Sequence, residues 1–157
     1  MNSSVLKFFS FFALVFFISS CDQKRVFEKN TPISEGIWNM DEKPSFEIDV
    51  KDTISSHSFY INLRNSGAYP YSNIFVFVET LFPDSSEARD TVECFLADNA
   101  GKWLGKGSGD IWDNQILFKK GVVFPRSGQY KFILQHGMRT DELKEIMDVG
   151  LRIEKEK

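Results

Sequence analysis

Phe59-Tyr60-Ile61-Asn62-Leu63-Arg64 has a hydrophobic period of two, and that period decides the fold class. Successive side chains of an extended chain point to opposite faces, so Phe59, Ile61 and Leu63 line one side while Tyr60, Asn62 and Arg64 line the other. Phe46-Glu47-Ile48-Asp49-Val50 alternates in the same way. Asn73-Ile74-Phe75-Val76-Phe77-Val78-Glu79-Thr80 is instead apolar at both parities, the pattern of a central strand covered on both faces. Further strands are predicted over 91–97, 111–118, 122–124, 129–135 and 149–154. Turn chemistry separates them at Ser66-Gly67, Pro83-Asp84-Ser85, Asp98-Asn99-Ala100-Gly101 and Pro125-Arg126-Ser127-Gly128.

The expectation is an all-β protein: a single β-sandwich, jelly-roll or immunoglobulin-like, of about seven to eight strands. It would occupy residues 37–157. One helical interruption is predicted near the C-terminus, where Thr140 caps, Asp141 and Glu142 favour the helix start, and Leu143, Ile146 and Met147 share a face before Gly150.

Upstream the chemistry changes. Residues 1–20 read as a lipoprotein signal peptide, in which Lys7 supplies the positive region and the run from Phe8 to Ile18 supplies the apolar one. The run ends in Ile18-Ser19-Ser20-Cys21, a lipobox whose cysteine thiol accepts diacylglycerol. A spanning helix needs about 20 apolar residues, and Ser19, Ser20 and Asp22 break this run too early. Two or three acyl chains on Cys21, palmitate among them, make attachment to the lipid bilayer effectively permanent. Residues 21–36 are polar and contain Pro32 and Gly36, the composition of a flexible tether. Within it Lys24, Arg25 and Lys29 could lean weakly on anionic headgroups.

Charge and cysteine count narrow the function. The net charge is −3, without the concentrated basic patch that nucleic-acid binding would require. With Cys21 acylated, Cys94 is the other of the two cysteines and has no partner for an intramolecular disulfide. Its place in the alternation Val92, Cys94, Leu96 predicts a buried, inert thiol. Gly101-Lys-Trp-Leu-Gly105-Lys-Gly107-Ser-Gly109 is not a P-loop, because three residues rather than four precede the Gly-Lys pair and Gly107 replaces the hydroxyl. It reads as a wide strand connection whose glycines permit positive φ. His57 and His136, the two histidines, lack partners at metal-ligand spacing, and Asp110, Asp113 and Asn114 match no calcium loop. No cofactor, metal or convergent nucleophile constellation is expected, and the chain does not read as an enzyme.

Aromatic residues remain as contact candidates. Trp103, between Lys102 and the Gly105-Lys106 pair, is the best candidate for exposure, and Tyr69-Pro70-Tyr71 forms a rigid turn before the strand at Asn73. Arg139 beside Met138 is a further candidate for partner contact. Such residues either anchor a protein or stack on a sugar ring.

Taken in order, Tyr60-Ile-Asn-Leu-Arg-Asn65, Tyr69-Pro-Tyr-Ser-Asn73, Asp90-Thr91, Leu96-Ala-Asp98, Gly101-Lys-Trp-Leu-Gly-Lys-Gly107, Phe124-Pro125, Gly128-Gln-Tyr130, Met138-Arg139 and Val149-Gly-Leu-Arg-Ile153 resemble the GldH-type gliding motility lipoproteins of the Bacteroidota. The resemblance implies a non-enzymatic accessory role in the gliding machinery, which is entangled with type IX secretion, and partners among other gliding or secretion lipoproteins. Surface-displayed lipoproteins of that phylum resemble one another in an acidic run after the cysteine. Here Asp22-Gln23-Lys24-Arg25 turns basic, so an outer-membrane protein facing the periplasm is expected. A glycan-binding lipoprotein using the exposed aromatics is the alternative.

Overall fold

The computed structural model describes residues 22–157; the signal peptide over 1–20 and the lipobox Cys21 lie outside the described residues. Eleven strands run in the order β1 (Arg25–Pro32), β2 (Ile37–Asn39), β3 (Ser45–Val50), β4 (Ser56–Ser66), β5 (Asn73–Leu81), β6 (Glu87–Phe95), β7 (Lys106–Ser108), β8 (Ile111–Val123), β9 (Gly128–His136), β10 (Glu142–Lys144) and β11 (Ile146–Lys155). They form a five-stranded sheet β1-β11-β4-β8-β7, a four-stranded sheet β3-β9-β5-β6 and the pair β10-β2. Every pairing is antiparallel.

The two larger sheets share one core. Phe59, Ile61 and Leu63 of β4 and Val149, Leu151 and Ile153 of β11 are buried from one side; Ile74, Val76 and Val78 of β5 and Tyr130, Phe132 and Leu134 of β9 are buried from the other. The rings of Phe59 and Phe132 meet across the layers with centroids 5.8 Å apart. The short β2-β10 pair covers one end, where Trp38 is fully buried and its Nε1 donates to the Glu42 carbonyl at 2.8 Å.

Register gives the domain two ends. At the near end, where the described chain begins, Arg25 faces Glu154, Glu154 faces Ser58, and Val123 faces Ser56. At the far end Pro32 faces Asp148, Asp148 faces Arg64, Arg64 faces Asp113, and Asp113 faces Lys106. The β3–β4, β5–β6 and β8–β9 connections lie at the near end. The β4–β5 and β6–β7 connections and the segment linking β9 to β10 lie at the far end.

Three expectations change. The C-terminal helix is absent among the described residues: the span from Thr140 to Gly150 holds β10 and the start of β11, broken at Glu145, whose φ is +70°. Leu143 opposes Trp38 and Ile146 opposes Asn65, with a register shift before Asp148, so the helix-like spacing of Leu143 and Ile146 comes from a broken strand. Partner strands satisfy the backbone groups that a helix would satisfy internally. The Glu145 turn is clamped to β4, its Oε2 accepting from Ser66 Oγ at 2.5 Å and its carbonyl from the Ser66 N–H at 3.0 Å. Gly150, read as a helix stop, sits inside β11 between Asn62 and Asn30.

The second change concerns the tether. Arg25–Pro32 is β1, an edge strand paired with β11. Its polar outer residues mimic linker composition because one face is solvated and the strand lacks a second neighbour. Finally, eleven strands replace the seven or eight expected, since β1, β2, β7 and β10 are short or polar segments that local pattern does not mark.

Candidate docking surface

β5 is central in its sheet but covered on one face only. Ile74, Val76, Val78 and Thr80 point into the core, whereas Phe75 is 36% exposed and Phe77 half-buried on the opposite side. The apolar run at both parities therefore marks an outer face left uncovered. Past the end of β9 the ladder continues irregularly: the Gly137 N–H donates to the Phe75 carbonyl at 2.7 Å, and the Phe75 N–H donates to Met138 Sδ at 3.4 Å. Residue 137 must be glycine for close approach, because a Cβ there would lie 2.9 Å from the Phe77 ring. Across β6 the Arg89 guanidinium sits 4.3 Å above the Phe77 ring, a cation–π contact.

Tyr71, Phe75, Phe77, Thr91 and the segment Gly137–Thr140 line an open groove of about 580 Å³ at the far end. Tyr71 is 44% exposed, and its ring stands edge-on to Tyr69 at 5.6 Å. Arg139 is exposed on the rim, and neither it nor Arg89 forms an ion pair among the described residues. Exposed aromatics beside guanidinium groups without an ion pair are the chemistry of a protein contact.

The outer face of the five-stranded sheet borders a concavity of similar size, about 530 Å³, lined by Glu28, Asn62, Arg64 and Asp113 together with the exposed Phe95 and Leu104. Arg152 bonds Asp22, Glu28 at 2.7 Å and Glu154 at 2.7 Å. Arg64 bonds Asp113 at 2.6 Å and Asp148 at 3.1 Å. Over Gly150 the side chains of β4 and β1 join, Asn62 Nδ2 donating to Asn30 Oδ1 at 3.1 Å and to Glu28 Oε1 at 3.0 Å. Although partial burial opposes ionisation of Glu28, hydrogen bonds from Arg25, Asn62 and Arg152 hold it below the ordinary carboxylate range. These groups satisfy one another.

Of the contact candidates read from sequence, Tyr71 and Arg139 come together in the apolar groove. Lys106 lines the polar concavity, and Lys102 is exposed on the preceding loop. Trp103 is half-buried and packs against the core, its backbone bridged to Ala97. Tyr69 is 4% exposed and its hydroxyl donates to the Asn73 carbonyl at 3.0 Å, so it braces the turn; burial raises its ionisation well above the usual phenol range. Among the loop glycines, Gly101 and Gly109 do adopt positive φ, at +80° and +72°. Gly107 serves close approach instead: a Cβ there would sit 2.4 Å from the Trp112 ring.

Burial pushes the Cys94 thiol up to about 12, which leaves it un-ionised and unreactive. Asn114 is buried and donates to Asn65 Oδ1 at 2.9 Å, while Asp113 is committed to Arg64. Among the described residues no three His, Cys, Asp or Glu side chains gather where they could hold a metal ion. His136 is fully buried edge-on against Trp38, with neither ring nitrogen hydrogen-bonded. Phe75, Phe77 and Gly137 were not singled out from sequence. The signal was present in the unbroken apolar run, but period alone does not say which face is covered.

A family model described as GldH lipoprotein matches residues 25–153. The chain is 38% identical to the gliding motility lipoprotein GldH homolog of Christiangramia forsetii, covering 99% of this chain and 98% of the relative. It is 32% identical to the gliding motility lipoprotein GldH of Flavobacterium johnsoniae, covering 86% and 87% respectively. Among solved structures, that of infectious bursal disease virus Gx strain is matched at a TM-score of 0.31 and 11% identity, over 82% of this chain and 30% of that one.

Proposed function

Starting from the premise that this chain belongs to the GldH lipoprotein family, we propose that it is a non-enzymatic envelope lipoprotein that docks another component of the gliding motility machinery, a system linked to type IX secretion. Cys21 carries the acyl chains, palmitate among them, after removal of residues 1–20. The protein sits on the outer membrane facing the periplasm, as the non-acidic stretch Gln23-Lys24-Arg25 favours. Its two-layered body is a β-sandwich used as a binding module.

The observation that carries this reading is the apolar groove around Phe75 and Phe77, at the end of the domain opposite Asp22. Anchor and groove at opposite ends let the protein present the groove away from its own membrane. Partner recognition combines burial of Phe75, Phe77 and Tyr71 with acidic groups met by Arg139 and Arg89. The glycan alternative is weaker, since Tyr69 is buried and Trp103 half-buried, leaving Tyr71 alone as a platform.

A photo-crosslinking residue at Tyr71 tests the reading in gliding cells. It should capture a gliding lipoprotein, and Phe77→Asp with Arg139→Glu should abolish both the crosslink and spreading motility. A doubly substituted protein that is exported, lipidated and folded, yet leaves both intact, overturns it.

A further inference from the structure

The near end of the domain has a feature that docking at the far end does not use. The β3–β4 connection, residues 51–55, is a rigid turn: Asp52 Oδ1 accepts the N–H groups of Ile54 at 3.0 Å and Ser55 at 2.9 Å. Lys155 closes on the other carboxylate oxygen at 2.8 Å, and these bonds hold Asp52 well below the usual carboxylate range. The turn presents Ile54 to solvent at 88% exposure. Val123, opposite Ser56 on β8, is 45% exposed, and Val26 on β1 is 48% exposed. An isoleucine held outward on a pinned turn is left with its apolar surface in water unless something covers it.

The two ends differ in charge. The acids of the near end are largely taken: Asp22 and Glu154 by Arg152, Asp52 by Lys155, Asp84 by Arg126, Asp90 by Lys119. Glu156 accepts from Ser56, Ser58 and the Gly121 N–H. Lys24, Lys51, Lys120 and Lys157 form no ion pair among the described residues, and neither do Asp49, Glu87 and Glu156. The opposite end carries Glu35, Asp41, Glu42, Asp98, Asp110, Asp141 and Glu142 against Lys43, Lys102, Lys106, Arg139 and Lys144. The near end is thus close to balanced, with unpaired lysines on it, and the far end is acidic.

Because β1 begins at Arg25, the chain leaves the fold beside Lys24, whose carbonyl accepts from the Lys155 N–H at 2.8 Å. A lipidated Cys21 would be three residues from that anchored position, too short a span to hold the domain away from the bilayer. We propose that the near end is a membrane-contact surface: Ile54 and Val123 enter the interfacial zone of an anionic bilayer while Lys24, Lys51, Lys120 and Lys157 meet its headgroups. The contact orients the domain upright, so that the apolar groove points away from the membrane. This rests on the lipidation reading for its geometry, while its apolar tips and free lysines are independent of it.

The test uses the full chain purified in its membrane-anchored form and reconstituted into vesicles of phosphatidylglycerol and phosphatidylethanolamine, or of phosphatidylcholine alone. An environment-sensitive fluorophore is placed by Ile54→Cys or, at the far end, by Leu104→Cys; Cys94 is buried and does not compete. The probe at position 54 should shift to the blue and be quenched by brominated lipid in anionic vesicles, and the probe at 104 should do neither. High salt, or Lys51→Glu with Lys120→Glu, should reduce the signal at 54 by about tenfold. Equal signals at both positions, or a signal at 54 indifferent to lipid charge, salt and both lysines, overturns the proposal. Mass spectrometry of the N-terminal peptide reads the acyl group separately. Where the leader is uncleaved, Cys21→Ser removes the competing thiol, and the probe comparison then holds whichever anchor keeps the chain on the vesicle.

Discussion

The outer faces of the two large sheets are built by the same alternation and end in opposite states. On the five-stranded sheet, Arg64, Arg152, Glu28, Asp113, Asp148 and Glu154 are spent on one another, and Asn62 reaches Asn30 across Gly150. On the four-stranded sheet, Phe75 is exposed and the Phe77 ring is capped by the Arg89 guanidinium, with Arg139 on the rim of the groove. The concavities on these faces are nearly equal, about 530 and 580 Å³, so size does not separate them. What separates the two faces is whether their polar side chains already have partners: the ion-paired groups of one have little to gain from a second protein, whereas the aromatics and unpaired guanidinium groups of the other have much.

Gly150→Ala should break the polar face most severely. A Cβ there falls 1.9 Å from Asn30 Oδ1 and 2.7 Å from the Lys29 carbonyl, so we expect about 2–3 kcal/mol lost in chemical denaturation. Adding Asn30→Ala to Gly150→Ala should restore part of it, because the backbone contact remains. On the apolar face the cost should appear in binding instead. Phe77→Ser should weaken partner crosslinking about tenfold or more while stability changes by less than about 1.5 kcal/mol. Unaltered crosslinking would erase the contrast between the faces.

The buried His136, next to the groove segment, carries a pH signature. Burial pushes its ionisation below the ordinary imidazole range, and the backbone of Asp141 and Trp38 pulls the other way without closing a hydrogen bond. The unfolded chain then binds the proton first, so stability is full above the unfolded value and declines as pH falls from there toward the lower folded value. The slope is at most about 1.4 kcal/mol per pH unit. Melting temperature against pH should flatten in His136→Gln over that window. Carboxylates held low by their partners, Asp22, Asp84 and Glu156, contribute a separate loss only once pH falls below the ordinary carboxylate range.

Arg64→Ala should matter least. Its side chain is 45% exposed and that of Asp113 58%, so screening leaves about 0.5 kcal/mol, vanishing in high salt. A much larger loss would mean that the polar face is a stabilising network rather than a tidy surface.

Period two in Phe46–Val50 and Phe59–Arg64 made the all-β class legible, because alternation is a property of the local chain. The chain's membership of its family was legible too, as was the burial of Cys94 within the sequence Val92, Cys94, Leu96. Thr140–Gly150 was not: capping and spacing there suit a helix locally, and pairing of Leu143 with Trp38 and of β11 with both β1 and β4 outweighs them. β1 was missed for the related reason that an edge strand's solvated residues resemble a linker. Of the contact candidates, Tyr71 and Arg139 share a groove and Tyr69 does not. The Tyr69 and Tyr71 rings touch edge-on across Pro70, and only packing says which one faces water.

The sequence by itself thus determined the strongly alternating strands, the absence of a long basic patch and the cysteine arithmetic, since each is read within a few residues. Only the tertiary structure decided which face of β5 stays open, that the polar face closes over Gly150, and that Ile54 stands out at the end where the chain leaves. Those facts depend on which distant strands become neighbours, and pairing between residues far apart in sequence is not encoded in any local period.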